Sequence, residues 1–153
     1  MTFLIPFDGS ALSEGALARA SEYATVHDER IVAVSVVPAD ANYAEEKGWI
    51  AEDEAVDPER IAGGLYSQVK EIAPNADFRW VRTERFTPTG KIVREIRSVA
   101  REVDATVVFI GSDNAGSLVN SLSSIASGVA SGGRPGKRYD VHIVRTPYQD
   151  DDA

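Results

Sequence analysis

Apolar positions fall into short unbroken runs separated by longer stretches of helical spacing. Thr2 to Phe7 (TFLIPF) is an apolar run that ends at Asp8-Gly9-Ser10, a turn and helix-start signature. From Ser10 onward Leu12, Ala16, Ala20, Tyr23 and Ala24 recur at the period of one helix face. Ile31 to Val37 is nearly continuous and β-branched, as expected of a strand covered on both faces. Asp57-Pro58 reads as a cap with proline at the first helical position, and Ile61, Leu65, Val69 and Ile72 continue one face despite Gly63-Gly64. Phe78, Trp80 and Arg82 alternate with Asp77, Arg79 and Val81 as a half-exposed strand. Next comes a helix with Ile92, Ile96, Val99 and Ala100 inward and Arg94, Arg97 and Arg101 outward. Thr106 to Ile110 is a second buried strand stopped by Gly111, a weaker helix pattern runs through Leu118, Leu122, Ile125 and Val129, and Val141 to Val144 is the last strand.

Five strands alternating with four helices predict an α/β fold: an open, doubly wound, five-stranded parallel sheet sandwiched by the helices. Residues 1–146 form that domain, and residues 147–153 are expected to be an acidic, disordered tail. Such sheets bind ligands beyond the carboxyl ends of their strands, at the switch point in strand order. Asp8, Val36-Val37, Gly111 and Ser112 all fall at those ends.

Two stretches break the alternation. Asp40 to Glu59 holds eight acids, a single Lys, and Tyr43, Trp49 and Ile50. It reads either as a solvated acidic loop, the commoner role of such a run, or as a flap over the site. Gly111 to Lys137 is rich in Ser, Gly and Ala, which suits either close backbone approach to a ligand or a flexible connection.

At 153 residues the chain has the length of one domain. Its 24 acids against 16 bases argue against nucleic acid or an anionic membrane as partner. The charge is uneven: residues 1–76 carry 14 acids and 5 bases, residues 77–149 carry 7 acids and 11 bases. Only four of the bases are Lys, and an acidic, Lys-poor surface suggests a halophilic source, to be checked by a stability titration with salt. No apolar run is long enough for a membrane helix, and the opening residues lack a basic n-region. A cytoplasmic protein is expected.

Catalytic chemistry is not indicated. The absence of Cys excludes disulfides, thiolate catalysis and most zinc sites, and His27 and His142 share no ligand spacing. Neither His accompanies a Ser or an acid in a nucleophilic motif. The stretch Gly133 to Arg138 fails as a P-loop, because Ser131 and Arg138 stand where Gly and Ser or Thr are required. A phospho-acceptor receiver domain would need an acidic pair where only Asp8 is found. No enzyme activity is expected.

FLIPFDGSALSEGALARASEYA resembles the opening of the universal stress protein family, with its apolar strand, Pro-x-Asp-Gly-Ser and Ala-rich helix. Val34-Ser35-Val36-Val37 is similar to the family's second strand. TPTGKIVREIRSVAREVDATVVFIGS is similar to its Pro-x-x-x-Ile helix and the strand ending in Gly-Ser. The resemblance runs through residues 2–145 in order, and the collinearity of the motifs carries it.

Many members of that family bind ATP or AMP, with a phosphate loop that reads Gly-x-x-Gly, a nine-residue spacer, then Gly-Ser or Gly-Thr. The resemblance places the nucleotide site at Pro6, Asp8, Val36, Gly111, Ser112, Asn114, Ser123, Ser124 and Ile125, with Asp8 bonding ribose hydroxyls. Here Asn114 replaces the second Gly, Ser123 the third, and the spacer is eight residues. The expectation is therefore a non-catalytic stress-response protein with an eroded adenine-nucleotide site. The alternative is a working ATP or AMP sensor with a variant loop, and no cofactor is assigned beyond those two candidates. The resemblance also implies a homodimer through the last strand, Tyr139 to Arg145, whose edge would otherwise be unpaired.

Overall fold

The computed structural model describes residues 1–84, 89–113 and 139–148. Strands β1 (Thr2–Pro6), β2 (Arg30–Pro38), β3 (Asp77–Thr83), β4 (Val107–Gly111) and β5 (Asp140–Val144) form one sheet in the order β3-β2-β1-β4-β5. Every pairing is parallel. The order reverses between β1 and β4, which are paired through Phe3–Val107 and Leu4–Val108. Four helices are described: α1 (Ala11–His27), α2 (Ala41–Glu46), α3 (Pro58–Ile72) and α4 (Thr89–Glu102). The fold class is the expected one. The short α2 lies inside the acidic segment and had no periodic signal, whereas the anticipated helix through Leu118 to Val129 lies outside the described residues.

Alternating strand residues divide the interior into two layers. Phe3, Ile5, Ile31, Ala33, Val37 and Phe109 bury against α1 and α3. Leu4, Val32, Val34, Val36, Val108 and Ile110 bury against Val93, Ile96, Val99 and Ala100 of α4. Arg94 and Arg101 are exposed as the pattern predicts, but Arg97 is half-buried, so the outward face of α4 is narrower than the spacing suggested. His142 is a packed aromatic: it stacks on Phe109 at 5.0 Å between ring centres and meets Tyr23 edge-on.

Helix α1 turns small residues, Gly15, Ala16, Ala20 and Ala24, toward its neighbours and so comes very near the sheet. A Cβ on Gly111 would lie 2.9 Å from the Leu12 carbonyl carbon. A Cβ on Gly15 would overlap the carbonyl oxygen of Thr146, where the chain after β5 crosses α1 and the Tyr148 amide donates to Ala11 O. Pro147 and Tyr148, assigned to the tail on composition, are thus laid along α1.

Candidate functional site

Asp8 sits just beyond β1, where the strand order switches. The Phe7 amide donates to Val34 O at 2.8 Å and the buried Ser35 hydroxyl donates to Phe7 O at 2.6 Å, which ties the end of β1 to β2. Asp8 Oδ1 accepts from the Ser10 amide at 2.9 Å, forming a turn that needs the left-handed Gly9 (φ +83°) and delivers Ser10 as N-cap of α1. Asp8 follows β1 and Ser112 follows β4, so both lie beyond the carboxyl ends of the two strands that flank the switch.

The acidic segment closes over this point. Asp40 caps α2, Ala44 is fully buried, and Trp49 and Ile50 pack on the core. The segment is therefore not a plain solvated loop. Two apolar anchors and a helical turn outweigh its charge and hold it down. Lys47 Nζ donates to Asp8 Oδ2 at 2.8 Å, and Trp49 Nε1 donates to Asp8 O at 2.7 Å. The Lys47 ammonium also lies 5.7 Å from the centre of the Tyr43 ring, and Tyr43 and Trp49 are in ring contact.

Side-chain exposure is 16% for Asp8 and 25% for Lys47, so the ion pair is partly shielded from water. Burial alone would raise the Asp8 pKa. The hydrogen bonds from Lys47 and Ser10, together with the Lys47 charge, outweigh it and hold the carboxyl well below the usual carboxylate range. Lys47 shows the converse. Burial would lower its pKa, but Asp8, then Tyr43 and Asp113, raise it above the ordinary lysine value. Among the described residues, the ion pair itself is with Asp8 alone.

Of the residues assigned from sequence, Pro6, Asp8, Gly111 and Ser112 gather at the switch, with Val36 one strand away and buried against α4. Asn114, Ser123, Ser124 and Ile125 lie outside the described residues. Gly111 has a structural role of its own, because the backbone at Leu12 occupies the space a side chain would need. Lys47 and Trp49 were missed. Their signal was a lone Lys and an apolar Trp-Ile pair within an otherwise acidic stretch. Among the described residues no group of His, Cys, Asp and Glu is arranged to hold a metal ion, and no helix is long and apolar enough to cross a membrane.

Comparison with known proteins gives one family: the model for the universal stress protein family matches residues 1–132. Among solved structures, a universal stress protein in complex with cAMP is 22% identical, with a TM-score of 0.54 over 95% of this chain and 97% of that one. A universal stress protein family member from Burkholderia pseudomallei is 17% identical, with a TM-score of 0.52 over 95% and 96%. A hypothetical protein whose biochemical function was assigned from its structure is 15% identical, with a TM-score of 0.57 over 97% of each chain. No curated protein sequence matches the chain.

Proposed function

This chain belongs to the universal stress protein family, and on that premise we propose that it is a non-catalytic stress-response module whose adenine-nucleotide crevice binds nucleotide weakly or not at all. One observation carries the reading: the Asp8 carboxylate, the group that would accept from ribose hydroxyls, already accepts from Lys47 Nζ and the Ser10 amide. A ribose has to share this carboxylate with the Lys47 ammonium or displace it, and its uncharged hydroxyls then compete with a charged donor in a shielded site. A universal stress protein solved in complex with cAMP supports adenine nucleotides as the ligand class to test. The departures from the phosphate-loop pattern at Asn114 and Ser123 support weak binding.

Isothermal titration with ATP and Mg²⁺, and separately with AMP, tests this. Binding absent or confined to millimolar nucleotide is expected. Saturation at low micromolar nucleotide would make the protein a working sensor instead. The same proposal includes a dimer through β5, the edge strand beyond β4, where Ile143 is 41% exposed. Size-exclusion chromatography should show a dimer that Ile143→Asp converts to monomer; a monomeric wild type would remove the dimer from the proposal.

A further inference from the structure

Asp8 is bonded twice by one short segment, through its side chain to Lys47 and through its carbonyl to Trp49. We propose that Lys47 is the specificity-determining residue of the crevice: its ammonium stands in for a ribose at Asp8, so the Lys47–Trp49 clasp sets the affinity for adenine nucleosides. This inference rests on the assignment of Asp8 to the nucleoside made above.

Three features build the clasp. First, it is docked rather than loosely laid down: α2 is N-capped by Asp40 and anchored by the fully buried Ala44, and Tyr43 touches both the Trp49 ring and the Lys47 ammonium. Second, an acidic segment of twenty residues places its single Lys on the one carboxylate that ends β1. Third, open space lies beside it. Gly48, between the two contact residues, has φ +75° with open space around its Cα, and Trp49 and Ile50 wall a cavity of about 390 Å³ against Ile61, Gly64 and Leu65 of α3. That space is where Trp49 would move if Lys47 left Asp8. Displacing Lys47 exchanges the ion pair for a hydrated ammonium and lets a diol donate to Asp8 Oδ2 in its place.

Adenosine is the discriminating probe, because it engages the nucleoside position and carries no phosphate. The full chain, Lys47→Met and Lys47→Ala are titrated calorimetrically with adenosine and with AMP. Trp49 emission is followed in a Trp80→Phe background. Both Lys47 variants should bind adenosine at least tenfold more tightly than wild type, with Trp49 emission shifted to the red. Adding Asp8→Asn should abolish the gain. Variants that bind adenosine no better than a weakly binding wild type would overturn the clasp and leave the eroded-site reading intact. Low-micromolar binding by the wild type would overturn that reading and the clasp together. Weaker AMP binding with adenosine unchanged would make Lys47 a phosphate ligand and equally overturn the clasp.

Discussion

The two sides of Asp8 are built by opposite means. Toward β4 and α1 the backbone itself is the packing surface. Gly111 meets Leu12 and Gly15 meets Thr146 so closely that neither position has room for a methyl group. Toward α2 and α3 the contacts come from the ends of long side chains, Lys47 and Trp49, and open space lies beside Trp49. Even the glycines differ, since Gly63 and Gly64 of α3 have no atom within 4 Å of a built Cβ. The α1 side is a fixed wall for the crevice, and the α2 side is the part whose chemistry can change without disturbing the fold.

The contrast can be broken most forcefully on the wall. Gly111→Ala should cost about 3 kcal/mol, the upper range of overpacking, because backbone rather than a movable side chain is in the way. A urea denaturation midpoint indistinguishable from wild type would show that α1 yields and that the wall is not fixed.

A middle-sized effect is expected at the ion pair. Asp8→Asn keeps the turn to Ser10 but leaves Lys47 without its anion, at a cost of about 1.5 kcal/mol for a charged hydrogen bond in a partly shielded site. The folded pKa of Asp8 is depressed, so this stability is present above its ordinary value of 3.8 and is lost as pH falls below it toward the folded one. Urea midpoints taken at pH 7 and pH 3 should therefore separate wild type from Asp8→Asn at pH 7 and bring them closer at pH 3. A gap that stays constant would deny the linkage.

The smallest effect has the opposite sign. Gly64→Ala meets open space in a helix interior and should stabilise by about 0.5–1 kcal/mol. A destabilised variant would mean that the α3 side is as tightly closed as the α1 side.

The same contrast explains what the sequence disclosed. Strands β2 and β4 are buried on both faces, and their β-branched runs could hardly be read otherwise. Helix α3 was legible despite Gly63-Gly64 because Ile61, Leu65 and Val69 keep one buried face. Helix α2 left no such mark: it has six residues, one of them fully buried, and is defined by its Asp40 cap. Asp8 could be placed from its position after β1, but its partner could not, because a contact between residues 39 apart in the chain has no period. Gly111 was legible as a strand terminator, but its closeness to Leu12 exists only once α1 is packed.

The ionisation of Asp8 tests the account most directly. Following its carboxyl carbon by NMR from pH 7 down to pH 3 should show a carboxylate that stays ionised throughout, and Lys47→Met should restore a midpoint nearer the ordinary range. A wild-type Asp8 that titrates like a free aspartate would contradict the claim that Lys47 already holds it.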